Sequence, residues 1–330
     1  MKRRTFTSGM AAALATASTS LTLPGIAAAQ GKYPDHPVRL VLSHPPGSGV
    51  DSVARIITER LQGIWGQPIV VDNKPGGQNV IGAQAVQHAP ADGYTLYFST
   101  VAALVTNSYM FKGLPYDPQR DFVPLAFVAN SPFGIIVRAD SPIKSFEDLL
   151  ARAKAAPGKV SVANEGPKTL SGLTTRLLAA RAKVDFNQIA YVSIGVATQD
   201  TVGGQTDALV SDLATVAPLI KQGRLRLLAT TSAKRPPGWE DVPAVGEVLP
   251  GFDMAGWFMF MAPKGTPQAV LEKANKDINT VLADKGVDER IATIGPIVQN
   301  NGNLEQVADF FKKEHARWAE ISKEVGLTPE

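Results

Sequence analysis

The stretch Ser43-His44-Pro45-Pro46-Gly47-Ser48-Gly49-Val50-Asp51 decides how the chain is read. Before it, Val38-Arg39-Leu40-Val41-Leu42 is a short apolar run of the kind that forms a buried strand. After it, residues 51–61 take up a helical period, with Val53, Ile56, Ile57 and Leu61 on one face. The prolines and glycines between them demand a tight turn, and Asp51 is placed to cap the helix. A strand, a glycine turn and a helix N-terminus together make a natural anion site. Amides point outward, the helix dipole adds partial positive charge, and Gly47 and Gly49 let a ligand approach the main chain. The same residues also fit an ordinary strand-to-helix turn with nothing bound, so the rest of the chain has to decide.

The rhythm repeats downstream. Pro68-Ile69-Val70-Val71 reads as a strand, residues 80–88 as a helix, and Tyr94-Thr95-Leu96-Tyr97-Phe98-Ser99 as a third strand. Strands alternating with helices through short turns predict an α/β chain with an open, mostly parallel sheet covered on both faces. Ligands of such sheets sit beyond the carboxyl ends of the strands, which points at Ser48 and at Ser99-Thr100. A double apolar run, residues 125–128 and 134–137, reads as a crossing into a second domain. There Ser145 caps a helix, strands fall near residues 160–162, 189–191 and 207–211, and Asp212 caps the helix that ends near Gly223. Leu225 to Thr230 carries the chain back. Trp257-Phe258-Met259-Phe260-Met261 is a further strand, and Thr266-Pro267 supplies a cap and a first-turn proline for the next helix. Leu304, Val307, Phe311, Trp318 and Ile321 or Val325 recur at helical spacing, a core-packing stripe.

A chain of 330 residues is long enough for two domains with ample core. Its formal charge of +3 resides entirely in Lys2-Arg3-Arg4, and the remainder is neutral. That balance excludes nucleic acid and anionic membrane as expected partners. The same three residues open an export signal: a basic start, an apolar and small-residue stretch over residues 9–23, and Ala27-Ala28-Ala29 at the cleavage point. The adjacent arginines resemble the twin-arginine form of such signals, and the general export route also fits. With no cysteine, lipid attachment at a lipobox, disulfides and thiolate metal sites are ruled out. The four histidines, His36, His44, His88 and His315, have no metal spacing. No metal and no cofactor is expected.

Several stretches resemble one family. They are Pro46-Gly47-Ser48-Gly49-Val50-Asp51, Val71-Asp72-Asn73-Lys74-Pro75-Gly76-Gly77 with Gly82, Ala89-Pro90-Ala91-Asp92-Gly93-Tyr94-Thr95-Leu96, and Leu114-Pro115-Tyr116-Asp117 with Asp121-Phe122. Further on, Gly223-Arg224-Leu225-Arg226, Ala229-Thr230-Thr231-Ser232-Ala233-Lys234-Arg235, Asp241-Val242-Pro243 and Ala262-Pro263-Lys264-Gly265-Thr266-Pro267 follow in the same order. The chain resembles the Bug family, the periplasmic solute receptors of tripartite tricarboxylate transporters, from about Tyr33 to its end. The resemblance implies a two-lobed, type II periplasmic binding protein fold with its ligand cleft between the lobes. Residues 30–128 and 232–330 would form one lobe and 129–231 the other, closing about strands near Phe127–Asn130 and Ala229–Ser232. It implies a monomeric, non-enzymatic periplasmic receptor for a small organic anion, typically a carboxylate; the apolar Val192 and Ile194 tilt the expectation toward an aromatic or bulky one. Membrane transporter subunits would receive the solute.

Carried over by position, the first-lobe contacts are Gly47, Ser48, Gly49, Asp51, Ser99 and Thr100, and the second-lobe contacts are Gly166, Lys168, Thr169, Ser193, Gly195 and Asp212. Asp51 and Asp212 cannot be anion ligands; they would orient turns and waters, or meet an ammonium or hydroxyl of the solute. The chain departs from the family pattern at three points. Gly172 replaces a common histidine, Val192 replaces a basic residue, and Lys168 stands where glycine is usual. Either Lys168 restores a charge that pairs with a carboxylate, or Val192 and Ile194 make the pocket more apolar. Two other functions remain open at this level. A membrane sensor could be the partner, or His44 could serve as a base near Ser48 in an exported hydrolase, although no orienting partner for His44 is visible.

Overall fold

A computed structural model describes residues 33–299 and 302–330. The export segment expected over residues 1–29 lies outside the described residues. By contacts the chain divides into Met1–Tyr33 and Pro34–Glu330; only Tyr33 of the first is described, and the account below concerns the second.

The opening strand, turn and helix form as the sequence indicates. β1 (Val38–Leu42) leads to α1 (Gly49–Trp65), followed by β2 (Ile69–Asn73), α2 (Val80–Gln87) and β3 (Thr95–Thr100). β1 pairs in parallel with β2 and with β3. Val38, Leu40, Val41 and Leu42 are all buried, as befits a strand with helices on both faces. A π-helical turn at residues 102–106, α3 (Asn107–Met110) and α4 (Pro118–Asp121) lead into β4 (Phe122–Ser131).

After Pro132 the chain enters a different sheet. β5 (Phe133–Arg138), α5 (Phe146–Ala155), β6 (Ser161–Asn164), α6 (Leu170–Ala182), β7 (Asn187–Ala190), α7 (Ile194–Val202), β8 (Ala208–Asp212), α8 (Leu213–Lys221) and β9 (Leu225–Thr230) build it. The strand order is β7-β6-β8-β5-β9, with β6 parallel to its neighbours and β5 antiparallel to both of its own. The return comprises α9 (Val245–Val248), β10 (Gly256–Pro263), α10 (Gln268–Leu282), α11 (Lys285–Ile294), β11 (Ile297–Val298) and α12 (Leu304–Glu324). β10 inserts antiparallel between β3 and β4, giving a first sheet ordered β11-β4-β10-β3-β1-β2. The chain is therefore α/β with two lobes, one on each sheet.

α12 presents the expected stripe inward: Val307, Phe311, Trp318 and Ile321 are buried. Trp257 adds a polar tie, its Nε1 donating to Glu314 Oε2 at 2.9 Å. Two local expectations are corrected. Pro267 itself stands at the N-cap of α10, and Thr266 turns its hydroxyl back to the Pro263 carbonyl at 2.8 Å. Residues 127–130 are also no crossing segment, because β10 and β11 hold them in the first sheet from both sides. The crossing falls at Ser131-Pro132-Phe133. Thr231, fully buried, ties the crossings together: its amide donates to Phe133 O at 2.9 Å and its hydroxyl to Met254 O at 2.6 Å.

Candidate ligand-binding site

In the β1–α1 turn, Ser48 and not Asp51 caps the helix. Ser48 Oγ accepts the Asp51 amide at 3.2 Å, which places Asp51 in the first turn. The Asp51 carboxylate, only 2% exposed, instead braces the turn from below. It accepts from Gly47 N, Arg55 Nε and Asn73 Nδ2, each at 2.9 Å, and Asn73 Nδ2 also reaches His44 O at 2.9 Å. Burial works against the charge, but the bonds from Arg55, Gly47 and Asn73 outweigh it and hold this carboxyl below its usual range. Gly47 adopts φ +79°, a conformation that favours glycine. With Asp51 and Ser48 occupied inside the turn, the amides of Gly49 and Val50 carry no hydrogen bond among the described residues.

Next to this turn, Ser43 Oγ bonds to the Tyr97 hydroxyl and to Asn79 O. α2 packs tightly onto it, for a Cβ on Gly82 would lie 3.0 Å from Ser43 Cα. Ser99 Oγ and Thr100 Oγ1, at the carboxyl end of β3, are buried without a hydrogen-bond partner, as is His44 Nδ1. Burial pushes the His44 imidazole down to about 4, so it is neutral and a poor base at neutral pH. Ser48, the nucleophile it would need, has its oxygen bound to the Asp51 amide.

The second sheet presents its own strand ends. Asn164 closes β6, and its Oδ1 accepts the Gly166 amide at 2.8 Å. Gly166 sits at φ +113°, and its carbonyl accepts both the amide and the hydroxyl of Thr169. Thr169 caps α6 by accepting the Gly172 amide. Gly166 and Thr169 therefore have these groups engaged within the loop itself. The loop also accounts for Gly172, since a Cβ there would come 2.7 Å from the Gly166 carbonyl carbon, leaving no room for a histidine. Lys168 reaches away to Glu330 Oε2 at 2.8 Å. Ser193 caps α7, Gly195 lies in its first turn, and Val192 beside them is 99% exposed. The first-turn amides of Leu170 and Ser171 in α6, and of Ile194 and Gly195 in α7, have no partner among the described residues.

Asp212 caps α8 as expected, accepting Ala214 N at 2.8 Å, and it also accepts the Ser131 hydroxyl. Burial raises its proton affinity in spite of these bonds. Ser131 ends β4, so this bond joins the first sheet to the second at the crossing. Two further residues escaped the sequence reading. Gly295, at φ +113°, packs on the first turn of α8, where a Cβ would sit 2.7 Å from Ala214 Cα. Its neighbour Ile294 would lie 3.9 Å from a Cβ on Gly49. Residues 294–295 thus stand between the first-lobe turn and the start of α8. No local motif announces Gly295 or Ser131, because both matter through long-range contacts. Asn164 could have been found, as a polar residue at a strand end directly before a glycine loop.

Two α/β lobes joined at crossing strands, with capped helices starting beyond the strand ends of both, are the two-lobed fold of the periplasmic binding proteins. The profile described as "Tripartite tricarboxylate transporter family receptor" matches residues 53–327, and the chain belongs to that family. A UPF0065 protein from the tcbD–tcbE intergenic region of Pseudomonas sp. (strain P51) is 36% identical over 98% of this chain and 95% of its own. Protein BugT of Bordetella pertussis is 33% identical over 95% of this chain and 97% of its own. Among solved structures, Rpa4515 of R. palustris with adipate is 29% identical with a TM-score of 0.79, covering 90% of this chain and 100% of that one. MatC of Rhodopseudomonas palustris with bound malate is 28% identical with a TM-score of 0.73, covering 88% and 99%. Among the described residues, no helix is long and apolar enough to cross a membrane.

Proposed function

We propose that this chain is an extracytoplasmic receptor that closes on a small organic carboxylate and delivers it to a tripartite tricarboxylate-type membrane transporter. The observation that carries this reading is the set of unbonded first-turn amides on α1, α6 and α7. Helix N-termini are favourable places for a carboxylate, and backbone amides hydrate again at little cost when the lobes part. Adipate and malate in two structural relatives support the same chemistry. The ligand contacts would come from Gly47, Ser48, Gly49, Ser99 and Thr100 on one side and from the starts of α6 and α7 on the other. Asp51 would act only through the turn it braces. The lobe boundaries proposed are residues 30–128 with 232–330, and 129–231, although β4 of the first sheet runs on to Ser131 and moves the first boundary a few residues later. Closure would pivot at Ser131–Phe133 and at Thr231. Export to the periplasm, a monomeric state and the absence of catalysis belong to the same reading, and the neutral, buried His44 supports the last of these.

The test is a thermal-shift screen of the chain from Gln30 onward against small carboxylates, aromatic acids, amino acids and neutral analogues. A ligand that binds only the folded state raises the melting temperature by mass action. A shift confined to carboxylates is the expected result. Turnover of an ester or amide with no shift for any carboxylate would overturn the reading.

A further inference from the structure

The second-lobe wall of the cleft carries negative charge with little to offset it. β6 and β8 are adjacent and parallel, with Ala163 level with Leu209. Val162 and Val210 belong to one buried cluster together with Leu173 and Leu177 of α6. Side chains alternate along a strand, so Asn164, level with Val210, and Asp212, two residues further along β8, lie on that same face as diagonal neighbours about 7–8 Å apart. Asn164 is 1% exposed, its Oδ1 is fixed on the Gly166 amide, and its Nδ2 has no hydrogen-bond partner. That leaves a buried donor, one diagonal step along the sheet from Asp212, without an acceptor, a costly arrangement unless something fills it. Glu165 follows directly and makes no side-chain hydrogen bond among those of the described residues. Glu165 is exposed, and partial desolvation of its carboxyl followed by the neighbouring Asp212 charge raises its proton affinity. Of the two positions where the sequence reading looked for a cation, Val192 is apolar and Lys168 is on Glu330.

We propose that the wall formed by Asn164, Glu165 and Asp212 receives a neutral solute group that both accepts and donates hydrogen bonds, an amide or a hydroxyl. This rests on the carboxylate-receptor reading and narrows it. The carboxylate of the solute lies at the α1 turn, where Gly49 and Val50 offer free amides. Its distal group accepts from Asn164 Nδ2 and donates to Glu165 or Asp212. A second carboxylate at that end would face two like charges, and an ammonium would satisfy the acids but leave Asn164 unpaired. The receptor is therefore one for monocarboxylates with a distal amide or hydroxyl, in contrast to the adipate and malate held by its relatives.

The experiment is isothermal titration of the wild-type chain and of Glu165→Gln with matched series at neutral pH. The series are succinate, glutarate and adipate, their monoamides, the corresponding ω-hydroxy acids and the corresponding ω-amino acids. The wild type is expected to bind the monoamide or ω-hydroxy acid of the preferred length at least about tenfold more tightly than the dicarboxylate. Glu165→Gln is expected to narrow that ratio several-fold, chiefly by improving dicarboxylate binding. A dicarboxylate or ω-amino acid that binds as tightly as the monoamide overturns the inference while leaving the receptor reading intact. So does a ratio unmoved by Glu165→Gln. Failure of every carboxylate to bind a folded protein removes the receptor reading and this inference with it.

Discussion

In the β1–α1 turn the carboxylate of Asp51 accepts from Gly47, Arg55 and Asn73, whereas across the cleft Asp212 meets Ser131 and an amide of its own helix, and Glu165 meets no donor. Both Asp51 and Asp212 lie in a first-turn or capping position after a strand. Their surroundings drive them in opposite directions, with Asp51 below the usual carboxylate range and Asp212 above it. The difference teaches that a carboxylate at a strand end can be part of the scaffold or part of the recognition surface. The balance between desolvation and a charged donor, present at Asp51 as Arg55 and not among the groups around Asp212, decides which.

The largest effect should come from removing the scaffold carboxylate. Asp51→Ala leaves the Gly47 amide, Asn73 Nδ2 and Arg55 without their shared acceptor. Because Arg55 is half exposed and can turn to water, the loss should be about 2–3 kcal/mol, less than for a fully buried pair. At roughly 2–4 °C per kcal/mol for a chain of this order, the melting temperature falls visibly. The sign with pH follows from a folded-state pKa below the unfolded value of about 3.9. The stabilisation is complete above that value and disappears as the pH falls through the lower folded one. Wild type and variant should therefore converge in strong acid. A gap that persists there would mean Asp51 acts through packing and not through its charge.

Gly295→Ala comes next. It forces a side chain into φ +113° and against Ala214, where the lobes meet beside α8. A cost of about 1–3 kcal/mol is expected for strain and overpacking together. The more telling readout is closure: small-angle scattering should show less compaction on ligand addition than in the wild type. Equal compaction would place this contact outside the closing motion.

Asp212→Asn tests the other wall with the opposite sign. Asparagine keeps the cap and can still bond to Ser131, so helix α8 loses little. Relief of a disfavoured charge should raise stability by about 0.5–1 kcal/mol at neutral pH. A folded pKa above the unfolded value means wild-type stability is greatest below about 3.9 and declines as the pH rises through the folded pKa. The variant's advantage should thus vanish in acid. Destabilisation at neutral pH would show that Asp212 is held as firmly as Asp51, and the contrast would collapse.

Much of this contrast was legible in the chain before any coordinates. Strand order aside, the β1–α1 turn, the passage into a second sheet between the apolar runs 125–128 and 134–137, and the inward face of α12 follow from apolar period and turn residues, while the exact crossing at residues 131–133 does not. The swap of roles between Ser48 and Asp51 was also available, since Ser48-Gly49-Val50-Asp51 has the spacing of a capping box and puts the cap at the first residue. What could not be read locally is contact across sequence. Gly295 against Ala214, Ser131 against Asp212, and Lys168 against Glu330 each join residues separated by scores of positions. Positive φ at Gly166 and the crowding at Gly172 arise from one loop folding back on itself, which periodicity does not encode.

Lys168 gives the smallest expected effect and the sharpest check on how the second wall is charged. In the sequence it competes with an apolar Val192 and Ile194 as the feature that sets specificity. In the structure its ammonium already holds Glu330, and both side chains are open to solvent, where such a pair contributes little to stability. Lys168→Ala should leave the melting temperature unchanged within error. If Glu330 satisfies the lysine in the liganded state too, carboxylate affinity should also be unchanged, and a salt titration should give the same dependence for wild type and variant. A clear loss of affinity that grows at low salt would mean that the lysine exchanges Glu330 for the solute on closure. The second wall would then carry a cation of its own, and its negative balance, together with the preference for a neutral distal group, would have to be given up.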